Sequence, residues 1–399
     1  MKLINLDIEK RVIIKLDRSI STDGVTGIMK FGLNNDYPQI IEKLILGSQT
    51  AKSSCNIFSS FLAGSGFVNE EIGKIIVGKD RKGKDITLDK MRLNIAKSCA
   101  MFNGAYIHCD MNALGDVGKT RLVPFKNCRF SREDFNGYCG KIAVHQNWER
   151  DPDFQTRFNS SEISWYYNFN RNALETNIID SGGFENFKGQ IYSLSLDDSY
   201  LYPLSQFDSV YLDMDTEYQI QLFKNRELRN GFSDKIVMHI DPSDDEVERR
   251  QTIEKCRSWM GPDGDKLLLF ESDFDENGEL ASNSNFKIDR IETNINDKLF
   301  ADWERGLSNN IRKAPYSIPA VLIDYEQGQL SQASGEMLIQ ATNYYNALTK
   351  HLRDELSDAI KEIYQNFDND ILKNNQDWNI KQVELITAKT QTDNNLTQV

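Results

Sequence analysis

The feature that most constrains the fold is a long periodic stretch near the C-terminus. Apolar residues recur every three or four positions from about residue 331 to 367, which is the period of one helix face. The stripe consists of Leu338, Ala341, Tyr345, Leu348, Leu352, Leu356, Ile360, Ile363 and Phe367. An extended, proline-bounded apolar run and a polar turn with Gly328 and Gly335 precede it. The segment predicts an extended approach, a turn and one long helix.

The first 150 residues predict a small α+β domain. Tyr37-Pro38 places a proline at a helix start, and Gly64 and Gly66 end the helical pattern that resumes after Gly47. Helices are predicted from residue 37, from 51 to 62 and from 87 to 101, and strands at 11–16, 105–110, 122–125 and 141–146.

The segment at 147–203 differs in composition from its neighbours. It is rich in Asn, Ser, Asp and aromatic residues, and it contains Gly182-Gly183 and Gly189-Gln190. This composition is typical of loops and short strands. We interpret the segment as a loop-rich insertion with a short helix at 172–179.

A second long helix is predicted from Pro203 to Arg229, followed by the left-handed ending Asn230-Gly231. Its apolar residues at helical spacing are Leu204, Phe207, Val210 or Tyr211, Met214, Tyr218 and Leu222. Further strands are predicted at 235–240, 267–271 and 286–291, and further helices at 246–260 and 299–311. Beyond residue 368 the chain is polar, and we expect a largely disordered tail with one strand at 381–386.

Composition narrows the class of protein. The 399 residues suggest two or three domains, and the net charge of −13 argues against a broad basic face for nucleic-acid phosphates. The six cysteines form no Cys-x-x-Cys pair and have apolar neighbours, as reduced thiols of a cytosolic core do. The sequence shows neither a signal peptide nor an apolar run of membrane length, so we expect a soluble intracellular protein.

Catalytic motifs find little support. The run GDVGKT at 115–120 resembles the end of a phosphate-binding loop, but Ala113 replaces the required glycine and a strand follows, so we expect a hairpin turn. The four histidines lack metal-ligand spacing, and the acidic run at 241–246 is explained by helix capping. We therefore expect no catalytic, cofactor or metal site and no enzyme activity.

Several segments, in this order, resemble the portal protein of tailed bacteriophages, closest to portals of phages from Bacteroidetes hosts. They are FGLNNDYP at 31–38, LAGSGF at 62–67, NGAY at 103–106 with VPF at 123–125, GGF at 182–184 with KGQIY at 188–192, YPLS at 202–205 with RNGF at 229–232, and IPAVL at 318–322 with SGE at 334–336. Together they span about residues 30 to 365.

The resemblance implies an α+β, portal-like fold with small mixed sheets. The implied parts are a wing at 1–150, an inserted loop-rich clip at 151–202, a stem helix at 203–231, a C-terminal wing with a channel-facing loop at 232–330, a long helix with a short crown at 331–370 and a polar tail at 371–399. Little chain follows residue 370, so an extensive crown is not expected.

The resemblance also implies a function. Portal proteins form a ring, here expected to be a homododecamer, at one capsid vertex, and double-stranded DNA passes through it during packaging and ejection. The implied partners are the major capsid or scaffold protein, the terminase large subunit and the head–tail connector, without a membrane or a cofactor. The implied location is the virion, and the host cytoplasm during assembly. Two alternatives remain: another virion structural or adaptor protein, and an α+β enzyme of unknown type.

Two sets of site residues follow. Acidic residues crowd the first half of the 203–229 helix, where they would face the channel and keep DNA from sticking; the candidates are Asp208, Asp213, Asp215 and Glu217. Complementarity to the helix dipole is the alternative, with Lys224, Arg226 and Arg229 at the other end. Aromatic residues in the clip-like segment would anchor a docking interface or fill a local core; they are Trp165, Tyr166, Tyr167 and Phe169.

Overall fold

The computed structural model describes residues 15–24, 26–112, 114–148, 162–230, 235–239, 247, 250, 287–291, 297–323 and 334–385. The chain divides into two compact units. We call 1–215 with 308–399 the main unit, and 216–307 the inserted unit. Helices and small sheets are mixed throughout, which confirms the α+β class.

Ten described helices follow one another along the chain. They are α1 (Tyr37–Gly47), α2 (Gln49–Ala63), α3 (Glu70–Gly73), α4 (Leu88–Phe102), α5 (Leu174–Asp180), α6 (Tyr211–Asn230), α7 (Asp297–Lys313), α8 (Ser334–Leu348), α9 (Lys350–Tyr364) and α10 (Asp370–Lys373). None of the helices in the described part of the chain is long and apolar enough to cross a membrane.

Fourteen described strands accompany them. They are β1 (Ile20–Thr22), β2 (Met29–Phe31), β3 (Gly66–Phe67), β4 (Ile76–Lys79), β5 (Asp85–Thr87), β6 (Gly104–Met111), β7 (Val117–Val123), β8 (Cys128–Phe130), β9 (Lys141–Val144), β10 (Ser164–Asn168), β11 (Gln190–Ser195), β12 (Lys235–His239), β13 (Lys287–Ile291) and β14 (Ile380–Lys381). Six of them form the sheet of the main unit, in the order β7-β6-β11-β10-β9-β8.

Local signals set the helix boundaries near the N-terminus. Pro38 lies in the first turn of α1, and the Ser48 hydroxyl accepts a hydrogen bond from the Ala51 amide at the start of α2. Thr87 caps α4 in the same way, and Asn103 ends α4 with a left-handed φ of 61°. The predicted helices and the turn into β6 are confirmed.

The predicted short helix and short strands are present at 164–195, while the role of this segment as a clip stays a prediction. Strands β10 and β11 are the central, parallel pair of the six-stranded sheet, and β11 also pairs with β6. Strand β11 is hard to recognise in the sequence because its first residue, Gln190, is polar although it is buried. The Gln190 side chain accepts a hydrogen bond from the Asn170 amide and donates one to the Asn170 carbonyl. Both strands belong to the same compact unit as the N-terminal helices.

Two buried arginines hold the C-terminal end of α2. Arg353 on α9 donates to the Phe61 carbonyl at 3.1 Å, and Arg92 on α4 donates to the Gly64 carbonyl at 3.3 Å. The last carbonyls of a helix lack intrahelical partners and carry partial negative charge, so both guanidinium groups are well placed. These contacts tie α4 and α9 to α2 in the core of the main unit.

The C-terminal part departs from two predictions. The single long helix is two helices, α8 and α9, separated at Thr349, whose hydroxyl bonds to the Tyr345 carbonyl. The expected tail packs as far as residue 385: Leu372 and Trp378 are buried, and β14 pairs with β3. Polar composition hid this contact, while residues 386–399 lie outside the described part.

Helix α6 begins eight residues later than predicted. Residues 203–207 are held by side chains instead: the Ser205 hydroxyl donates to the Met101 carbonyl, and the Ser205 amide donates to the Tyr37 hydroxyl. Tyr202 is buried and bridges β2 and β8, because it donates to the Met29 carbonyl and accepts from the Phe130 amide. These tertiary hydrogen bonds keep the Pro203 segment extended.

In the inserted unit, β12 and β13 pair antiparallel, which confirms two predicted strands, and α7 confirms a predicted helix. The C-terminal wing at 232–330 stays a prediction; residues 216–307 form a compact unit. The strand predicted at 267–271 and most of the strand at 11–16 and of the helix at 246–260 lie outside the described residues.

Candidate functional site

Asp208 does not lie on α6 but in the single 3-10 turn before it. Its carboxylate accepts from Arg18 Nε at 2.6 Å and from the Tyr37 hydroxyl at 2.9 Å, and its side chain is only 14 % exposed. Burial and the nearby Asp208 carboxylate raise the pKa of Tyr37, so the tyrosine stays a proton donor. Asp208 therefore holds the main unit together, and we remove it from the channel candidates.

The other three carboxylates lie on α6 and are half-buried. Asp213 and Glu217 are four residues apart and share one side of the helix, whereas Asp215 lies on another side. Lys224 falls on the same stripe as Asp213 and Glu217, and its Nζ contacts Glu304 Oε1 on α7 at 2.5 Å. Asp213 and Glu217 thus form one acidic line on α6, which Asp208 and Asp215 do not join. The side chains of Arg226 and Arg229 lie outside the described part.

The four aromatic candidates are half-buried on β10 and just beyond it. Trp165 packs against a small cluster of Ile28, Ala143, Trp148 and Ile163. These neighbours are buried side chains, so the structure favours the alternative in which the aromatic residues fill a local core.

The other three aromatic rings contact neighbours within the sheet. The Tyr166 ring meets His108 edge-on at 5.1 Å, and the Phe169 ring meets Tyr192 at 5.5 Å. Lys141 Nζ lies 4.6 Å from the centre of the Tyr167 ring. Each ring therefore has a structural role that requires no partner protein.

The phosphate-loop-like run forms a hairpin, as predicted. Gly115 takes a left-handed φ of 83° in the turn, and Gly118, Lys119 and Thr120 lie in β7. The Thr120 hydroxyl is buried between the Val77 carbonyl and the Tyr364 hydroxyl. Because the run continues as a strand, no helix N-terminus is available there for a phosphate.

Titratable groups do not assemble into a metal centre among the described residues. The His108 ring lies 2.7 Å from the Lys188 carbonyl, and burial lowers the pKa of this histidine. The five described cysteines are free, and burial raises the thiol pKa values, to about 12 for Cys55 and about 11 for Cys139. A raised pKa disfavours the reactive thiolate, in keeping with core thiols.

Some large apolar side chains on α6 and α7 are exposed. Leu212 and Tyr218 on α6 are 51 % and 40 % exposed, and Trp303 on α7 is 52 % exposed. Apolar side chains off the main helix face, such as Leu212, were visible in the sequence. The degree of exposure was not, because it depends on which helix faces the rest of the chain covers.

No protein-family model and no curated protein sequence matches the chain, whereas solved structures do. The neck of a native gene transfer agent particle, described with C12 symmetry, matches with 11 % identity and a TM-score of 0.47 over 95 % of this chain and 90 % of that one. The neck of an empty particle with C6 symmetry matches with 10 % identity and a TM-score of 0.44 over 83 % and 81 %.

A third match is an HK97 family phage portal protein from Corynebacterium diphtheriae, with 14 % identity and a TM-score of 0.40 over 81 % of this chain and 89 % of that one. This is the class of protein that the sequence segments resemble. None of these matches supports the narrower likeness to portals of Bacteroidetes phages. Because identities and TM-scores are low, we transfer no residue role from them.

Proposed function

We propose that this chain is the subunit of a phage portal, a ring at one capsid vertex through which double-stranded DNA is packaged and ejected. The ordered segments that resemble portal proteins support the proposal. The descriptions of the matched structures, a portal protein and the necks of virus-like particles, belong to the same class. The proposal includes a location in the virion, and in the host cytoplasm during assembly.

One structural observation carries the proposal of self-assembly. Leu212 of the main unit is 51 % exposed, and Tyr218 and Trp303 of the inserted unit are 40 % and 52 % exposed. Contact between large apolar side chains and water is unfavourable, and exposed apolar patches mark protein interfaces. Heterologous contacts between identical subunits close into a ring when the rotation between subunits fits.

We place the DNA-facing line on Asp213 and Glu217. Two like charges four residues apart on a helix are mildly destabilising, so a benefit elsewhere would explain them. Carboxylates that face a duplex repel its phosphates and allow DNA to slide without binding. The proposed cargo is DNA of any sequence, and the proposed chain has no cofactor and no catalytic activity.

Docking of the terminase and of the head–tail connector is proposed for the inserted unit. The aromatic residues of β10 pack within the sheet, which leaves the clip-like segment without its expected anchors. Residues 216–307, which include most of α6 and most of α7, form a compact unit. The capsid or scaffold protein would contact the main unit.

Electron microscopy of the purified protein in negative stain tests the ring directly. We expect closed rings with a central channel, and twelve subunits by mass photometry. A monomer at every concentration and ionic strength tried would overturn the proposal. ATP turnover by the pure protein that Lys119→Ala abolishes would instead support an enzyme.

A packaging assay tests the channel line within assembled particles. Asp213→Lys with Glu217→Lys should leave rings intact and slow DNA translocation, and added salt should relieve the defect because it screens the new contacts. The matched control is Glu175→Lys with Asp180→Lys, which reverses two exposed carboxylates on α5. Equal translocation by both double variants would remove Asp213 and Glu217 from the channel wall.

A further inference from the structure

A basic hairpin stands out on this acidic chain. Strands β4 and β5 pair antiparallel, and the sequence KDRKGK at 79–84 forms the end of β4 and the connecting turn. We call Lys79, Arg81, Lys82 and Lys84 the basic hairpin, since all four side chains are exposed. Four cations within six residues form a positive patch on a chain whose net charge is −13.

The one carboxylate of the turn, Asp80, forms hydrogen bonds with backbone amides. Asp80 Oδ1 accepts hydrogen bonds from the amides of Lys82 and Lys84, each at 2.8 Å, and Gly83 takes a left-handed φ of 80°. Lys79 lies 3.9 Å from Asp85 at an exposed position. Among the described residues, no ion pair involves Arg81, Lys82 or Lys84, and these three cations remain available.

An acidic patch lies elsewhere on the main unit. Asp198 follows β11, and Glu355, Asp358 and Glu362 project from the exposed side of α9. Partial burial and then the carboxylates of Asp198 and Asp358 raise the pKa of Glu355, against the opposing effect of His351. Glu362 accepts from the Tyr192 hydroxyl at 2.8 Å. These acids therefore crowd one another.

The cations on the same helix do not balance this patch within the subunit. Lys350 is paired with Asp354 at 2.6 Å, which leaves Lys361 as the other exposed lysine of α9. The acidic patch keeps an excess of negative charge.

Contacts with helix α4 help to locate the two patches on the main unit. The basic hairpin adjoins its N-terminal end, because β5 runs into the Thr87 cap of α4. The acidic patch adjoins its C-terminal end, because the Leu196 amide donates to the Asn103 carbonyl at 2.9 Å. Burial is the main cause that raises the pKa of the Cys99 thiol, and the nearby Glu355 carboxylate adds a smaller rise. Leu88 and Cys99 are about 16 Å apart at 1.5 Å per residue. Among the ion pairs of the described residues, none joins the basic hairpin to the acidic patch within one subunit.

We propose that the basic hairpin of one subunit docks on the acidic patch of a second copy of this chain. The basic hairpin and the acidic patch are two different surfaces of one subunit. A contact between them joins copies head to tail, which is the heterologous contact that a ring requires. Local pairing of this kind would also offset the repulsion between subunits that each carry −13. The inference rests on the proposed ring, because it supplies a contact between neighbouring subunits.

Charge reversal provides the test, with mass photometry and sedimentation velocity at low and high salt. The hairpin variant Arg81→Glu with Lys82→Glu and the patch variant Asp198→Lys with Asp358→Lys should each weaken assembly about tenfold or more. Mixed in equal amounts, the two variants should assemble again, because each altered hairpin then meets an oppositely charged patch. Lys43→Glu with Lys52→Glu is the control for the hairpin variant. It makes the same charge change as that variant, at exposed positions on α1 and α2.

The outcomes separate this inference from the proposed function. If the native chain forms rings and both variants assemble like the control, the contact is wrong while the ring stands. Rescue by mixing, absent from either variant mixed with the control, supports the contact. If the hairpin variant instead loses binding of a fluorescent DNA duplex that the native chain binds, with assembly unchanged, the hairpin is a nucleic-acid surface and the inference fails. A native chain without any rings removes both proposals.

Discussion

Strand β10 and helix α6 both carry large apolar side chains that the sequence offers as functional surfaces, yet the fold treats them differently. The aromatic residues of β10 are half-buried against neighbours in the central sheet. On α6, Leu212 and Tyr218 are about half exposed. The same residue types therefore serve the core in one element and a surface in the other. Composition alone does not distinguish an interface from a core.

Truncating an aromatic side chain of β10 should give the largest change in the free energy of unfolding. Trp165→Ala removes an indole from the cluster with Ile28, Ala143 and Trp148 and should cost about 2 kcal/mol. Urea unfolding of the purified chain measures the loss. Tyr138→Ala, which truncates a tyrosine that is 71 % exposed, is the matched control and should change little. Equal stability of both variants would return β10 to the list of docking surfaces.

The approach to α6 should give the next largest effect. Asp208→Ala removes the acceptor for Arg18 and for the Tyr37 hydroxyl and should cost about 1–2 kcal/mol, discounted because Arg18 is partly exposed. Asp213→Ala, on α6 itself, should change the same free energy by less than about 0.5 kcal/mol. Urea midpoints of the two variants compare the structural acid with the surface acid. A larger loss from Asp213→Ala would reverse their roles.

Replacing two exposed apolar side chains of α6 should reduce ring assembly and hardly change the stability of the subunit. Leu212→Ser with Tyr218→Ser should leave the free energy of unfolding of the dissociated subunit within about 0.5 kcal/mol of the native value. Ring abundance should fall, because burial of these side chains between subunits is lost. Mass photometry and urea unfolding at a concentration below assembly measure the two effects. Unchanged ring abundance would exclude Leu212 and Tyr218 from the interface.

The smallest effect concerns a titration beside β10. Burial lowers the pKa of His108, so the unfolded chain takes up the proton first as the pH falls. Stability is present above the ordinary histidine pKa and is lost as the pH falls through it. The difference in urea midpoint between pH 7.5 and 5.5 should therefore shrink in His108→Gln. An unchanged difference would mean that other groups cause the acid sensitivity.

How much of the site could be predicted varies with the range of the contacts involved. The hairpin at Gly115 and the acidic line of Asp213 and Glu217 depend on neighbouring residues, and both survive in the fold. The roles of Asp208 and Trp165 depend on Arg18 and on Ile28, more than a hundred residues away. Sequence periodicity carries no information about such partners, which is why these two assignments changed.

The sequence by itself determined the α+β class and most helix boundaries of the main unit. Pro38, Thr87 and Asn103 act on their own backbone within a turn, so their effects do not wait for the rest of the chain. Only the tertiary structure decided that β10 and β11 lie in the central sheet, that α6 starts at Tyr211 and that the chain packs as far as residue 385. Those outcomes depend on hydrogen bonds and packing between distant segments, and polar residues such as Gln190 and Ser205 find their partners only when the chain has folded.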